Sequence, residues 1–121
     1  MKVLLDHNVP HWLRGKLPGH EVHTTRWVGW DDLSNGELLA ACAAAAYDVF
    51  LSIDKKLEYE HDLTRLPVTI VVLDVPRINP RNIDSLIPAT LDVLARPLDR
   101  ALYVIRADGD VLWLAQPRPR P

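Results

Sequence analysis

The sequence predicts an α/β domain built on a mostly parallel sheet, and three observations carry that expectation. Short aliphatic or β-branched runs recur at Val3–Leu5, Glu21–Thr25, Val49–Ile53 and Val68–Asp74. Segments with helical spacing separate them, so strand and helix alternate along the chain. No repeat or domain linker interrupts the 121 residues, a length that suits one hydrophobic core. A single domain over residues 1–116 follows, with the Pro/Arg tail 117–121 expected to be disordered.

Residues 2–6 read as a short buried strand. Asn8 is a good cap, and Pro10 suits a first helical turn because its missing N–H costs nothing there. A helix is therefore expected from Pro10 to about Leu17, ended by Pro18-Gly19. Glu21–Thr25 forms the second strand. Trp27 to Leu33 reads as a loop carrying two large aromatics. Ser34-Asn35-Gly36-Glu37 is a capping-box pattern that opens an Ala/Leu-rich helix reaching about Tyr47.

Residues 49–53 are the third strand, and the polar stretch Lys55–Leu63 holds one or two helical turns. Val68–Asp74 is the most β-branched stretch and must be a central strand. Ile83, Leu86, Ile87, Thr90, Leu91 and Leu94 give helical spacing over Asn82–Leu94. Two apolar runs, Leu102–Arg106 and Val111–Leu114, flank Asp108-Gly109 and signal a C-terminal β-hairpin. That hairpin adds antiparallel pairing at a sheet edge, a place for self-association into a homodimer.

A formal net charge of -2 argues against a general polyanion binder, whose affinity rests on excess Lys and Arg. It leaves room for a local basic rim around an acidic pocket. The lone Cys42 lies among alanines and leucines, reads as a small buried hydrophobe, and excludes an internal disulfide or a Cys-pair zinc site. Met1-Lys2 runs straight into a strand, and no long apolar span occurs, so a cytoplasmic protein without membrane association is expected.

The chemistry-bearing residues are carboxylates at strand ends. Asp6 closes one apolar run and Asp54 another, and strand ends of a parallel sheet gather at one edge, where ligands bind. Each Asp can cap the following segment, or it can hold a hard divalent cation. Glu37 can close the capping box, reach a metal, or do both. Asn8 is a cap or a neutral oxygen ligand, and Asp62 and Asp74 are weaker acidic candidates. Lys55, Arg14 and Arg26 are the candidate phosphate contacts, and Trp27 and Trp30 are the aromatic pair to test for base stacking, against core or interface packing. His7 and His11 lack a third ligand at zinc spacing, and no Gly-rich phosphate loop or nucleophile elbow is present.

Four blocks taken together carry a resemblance: Val3-Leu4-Leu5-Asp6-His7-Asn8-Val9-Pro10, Gly19–Thr24, Gly29-Trp30 through Asn35-Gly36-Glu37-Leu38-Leu39, and Tyr47–Lys55. In this order and spacing the chain resembles the small prokaryotic PIN-like proteins related to VapC toxins, over most of residues 2–95. The resemblance implies a PIN-type three-layer α/β/α sandwich. It also implies a metal-dependent endoribonuclease, the toxin of a type II toxin–antitoxin pair with RNA as substrate and a protein antitoxin as partner. Asp6, Glu37 and Asp54 fall on the family's acidic positions, where they would hold Mg²⁺ or Mn²⁺, and Asn8 matches the Asp-x-Asn opening. Ser52 stands where the family usually has Thr, Glu60-His61-Asp62 replaces an amide-rich stretch, and a clear fourth acid is missing. The alternative is a catalytically inactive PIN-like module that binds RNA or a protein partner.

Overall fold

A computed structural model describes residues 1–63 and 65–114. The tail expected at 117–121 lies outside the described residues. The molecule is mixed α/β. A six-stranded sheet is formed by β1 (Lys2–Leu5), β2 (Glu21–Thr24), β3 (Val49–Ser52), β4 (Thr69–Asp74), β5 (Leu102–Arg106) and β6 (Val111–Leu114). Their order is β2-β1-β3-β4-β5-β6, parallel throughout except for the antiparallel β5–β6 pair. All four residues of β3 are buried, as expected for a central parallel strand covered on both faces.

Side-chain alternation splits the core in two. Val3, Leu5, Val49, Leu51, Val71, Leu73 and Ile105 point to one face. There they meet Leu13 of a 3-10 helix (His11–Lys16) and Leu17 just after it, with Ile83 of α4 (Pro80–Asp84) and Val93 and Leu94 of α5 (Ile87–Leu94). Leu4, Phe50, Ile70, Val72 and Leu102 point the other way, onto Leu38, Leu39 and Cys42 of α2 (Asn35–Ala44) and Leu57 of α3 (Leu57–Glu60). Between β2 and α2 lies the one-turn helix α1 (Thr25–Val28).

The connections across these faces are informative. The chain crosses from β3 to β4 over the α3 face and from β4 to β5 over the α5 face, stepping the same way along the sheet each time. The two crossovers therefore have opposite hands, and one departs from the near-universal right-handed rule.

Three elements differ from the expected ones. The segment after Asn8 forms a 3-10 helix, with Pro10 at its cap and no side-chain cap bond. Only six residues are helical there, because Pro18 disfavours helical backbone at Leu17 (φ -117, ψ 68). Trp27 lies in α1, not in a loop. Thr24 accepts the Trp27 N–H at 3.1 Å, and Gly29 ends the turn at φ 80. The helix expected over 82–94 is two helices. Pro88 lacks the N–H that would bond Asp84, so the chain breaks at Ser85-Leu86 and restarts with proline in the first turn of α5.

Candidate functional site

The strand order reverses direction around β1. From β1 the chain leaves toward the 3-10 helix on one face, and from β3 toward α3 on the other. The carboxyl ends of β1 and β3 therefore part, and this is where open α/β sheets bind ligands. The Asp6 N–H still extends the ladder by donating to the Leu51 carbonyl at 2.8 Å, which fixes the acid beside the end of β3.

Asp6 is only 4% exposed, and both of its oxygens are engaged. Oδ1 accepts the His7 backbone N–H at 2.7 Å and faces His7 Nδ1 at 3.0 Å, while Oδ2 accepts the Ser52 hydroxyl at 2.7 Å. A buried carboxylate is tolerated when several donors surround it in this way. His7 Nε2 lies 3.0 Å from the Asp31 carbonyl, so both ring nitrogens face acceptors. An imidazolium donates to both, and a neutral ring to one. Thr25 Oγ1 donates to Asp31 Oδ1 at 2.9 Å, tying the loop after α1 to the same network.

Asp54 sits one hydroxyl away from Asp6. Its backbone N–H donates to Ser52 Oγ at 3.0 Å, and its own Oδ1 accepts the Lys56 N–H at 3.0 Å, a local turn-capping role. Glu37 stands apart. It is exposed and closes the capping box of α2, accepting the Ser34 N–H at 2.9 Å while its own N–H meets Ser34 Oγ. Those bonds, the backbone one first, hold its carboxyl below the ordinary Glu value. On the sheet's α2 side, burial and then the charge of Asp6 push the Cys42 thiol up to about 12.

The three acids therefore do not gather as one three-carboxylate group: Asp6 and Asp54 meet through Ser52, and Glu37 stands apart. Asp6 already faces three donors from its own chain, Asp54 caps a turn, and Glu37 belongs to a helix start. Among the described residues, no group of three or more His, Cys, Asp or Glu side chains is placed to hold a metal ion. Of the remaining candidates, Lys55 pairs with Asp74 at 2.7 Å near the end of β4, and Asp62 lies 3.9 Å from Arg65.

What the fold does bring together is a cleft of about 680 Å³ over the carboxyl ends of β1 and β2. Asp6, Asn8, Arg14, Arg26, Trp27 and Asp31 are among the residues that line it. Arg14 arrives from the 3-10 helix and Arg26 from α1, and both are exposed and make no ion pair among the described residues. Trp27 is 64% exposed and stacks on His23, with centroids 4.3 Å apart and planes at 26°. Trp30, by contrast, packs edge-on to Tyr47 against the second core. His7 and Asp31 belong to the cleft without any strong sequence signal.

No protein-family model, curated protein or solved structure matches the chain. Among the described residues, no helix is long and apolar enough to cross a membrane.

Proposed function

We propose that this protein is a PIN-like module that binds single-stranded RNA in the Asp6 cleft, on a PIN-type sandwich. One observation carries the reading. Two guanidinium groups without ion-pair partners among the described residues and an exposed indole converge on a cavity over the carboxyl ends of β1 and β2. Guanidinium groups contact phosphates, and an exposed aromatic face stacks on a base of any identity. Asp6 and His7 would then serve as the frame, since the His7 ring ties Asp6 to the Asp31 loop beside the cleft.

Fluorescence anisotropy with a labelled single-stranded RNA tests this. Arg14→Ala and Arg26→Ala should each weaken binding and lower the salt slope by about 0.7. Trp27→Ala should cost about 1–3 kcal/mol. Arg65→Ala, far from the cleft, should change nothing. Equal affinity for all four variants and the wild type would remove the assignment.

A second reading, the Mg²⁺- or Mn²⁺-dependent ribonuclease of a toxin–antitoxin pair, is favoured by the Ser52 hydroxyl. It joins Asp6 and Asp54 at the ends of adjacent strands. Mg²⁺ is often held by one or two carboxylates together with waters and substrate phosphates. On this reading Mn²⁺ raises the thermal midpoint of the wild type and not of Asp6→Asn, and Asp54→Asn loses RNA cleavage while staying folded. Unchanged melting with Mn²⁺ and no cleavage return the protein to the binding role.

A further inference from the structure

The sheet ends in two unlike edges. β2 carries Glu21 and His23, which lie 3.8 Å apart, so charge guards that side. β6 reads Val111-Leu112-Trp113-Leu114, with no charge and no proline, and none of its residues is fully buried. Among the described residues, nothing pairs with its outer side. Natural sheets normally protect such an edge with charge, proline or a bulge, because its free backbone groups recruit another strand.

The register says which groups are free. Arg106 N–H donates to the Asp110 carbonyl at 2.8 Å, so 106 and 110 form a hydrogen-bonded pair. Alternation along an antiparallel ladder makes 104/112 and 102/114 the next bonded pairs, and 105/111 and 103/113 the non-bonded ones. Leu112 and Leu114 therefore turn their backbone groups toward β5. Val111 and Trp113 turn theirs outward.

These two outward residues are symmetric about Leu112, so the edge is complementary to itself. We infer that β6 is the interface with a second copy of this chain: the two β6 strands pair antiparallel across a two-fold axis at Leu112. Val111 of each copy then bonds Trp113 of the other, and all four outward groups are satisfied. The paired strands carry no charge, so no like charges meet across them, and Trp113, 56% exposed in the single chain, gains a cross-strand neighbour. A closed two-fold contact of this kind is isologous and stops at two copies. A strand from a different protein would need no such symmetry.

Sedimentation and oxidative cross-linking test the pairing. Wild type should sediment at twice the 13.7 kDa chain mass. Trp113→Pro deletes only an outward N–H, so the β5–β6 ladder survives, and this variant should sediment as a single chain with an unchanged circular dichroism spectrum. Leu112→Cys should form an intermolecular disulfide. Facing residues of a non-bonded pair stand about 4.5 Å apart at Cα, inside the range a disulfide spans. Val111→Cys, opposite Trp113 of the second copy, should not cross-link. A single-chain wild type overturns the inference. So does a dimer that survives Trp113→Pro while Leu112→Cys stays uncrosslinked.

Discussion

Asp6 shows how one residue type serves two roles that sequence cannot separate. A carboxylate shared by metal ligands is destabilising until the cation arrives, whereas one surrounded by donors stabilises the fold by itself. With His7 N–H, His7 Nδ1 and the Ser52 hydroxyl all directed at it, Asp6 is stabilised in the second way without a cation. Asp6→Asn should therefore lower stability by about 2 kcal/mol in urea unfolding without added metal, as hydrogen bonds to a charged group are lost. A variant as stable as the wild type would contradict the donor cage. The positions of Asp6, Ser52 and Asp54 at strand ends were legible from the apolar runs before them. Which donors they face was not, because those donors come from residues up to 46 positions away.

At the scale of elements, local chemistry explains both the agreements and the departures. The Ser34–Glu37 box opens α2 where the pattern placed it, since all of its partners lie within four residues. α1 was missed because its cap, Thr24, is also the last residue of β2, and a β-branched residue after a strand reads as more strand. The turn between β5 and β6 depends on Gly109 at φ 90, with the Gly109 N–H donating to the Arg106 carbonyl at 2.8 Å. Gly109→Ala forces a side chain into left-handed backbone and should cost about 1–2 kcal/mol in thermal or urea unfolding. Because, apart from its chain neighbours, no atom of the described residues lies within 4 Å of the added Cβ, backbone strain and not a clash sets that cost.

For the whole molecule, the two cores make the sheet a shared wall. Phe50 and Cys42 lie on one side and Val49 and Leu51 on the other, all with no exposed surface. Cys42 therefore reports global opening. Its thiol, pushed up to about 12 by burial, should resist alkylation at neutral pH and react only when the domain unfolds. Labelling by iodoacetamide at the rate of a free thiol in native buffer would show that α2 detaches separately. Phe50→Ala should remove about 3–5 kcal/mol, measured by urea unfolding, since the central strand cannot collapse into the vacancy.

The alternation of strands and helices, the apolar faces and the α2 cap were set by the sequence alone, because periodicity and capping act over a few residues. Strand order was not, and strand order made the functional landscape. By seating β1 between β2 and β3, the tertiary structure tied Asp6 to Ser52 and gathered Arg14, Arg26 and Trp27 around one cavity. It also left Glu37 at a helix start and paired Lys55 with Asp74. Long-range backbone pairing decides which side chains meet, and no local pattern encodes that choice.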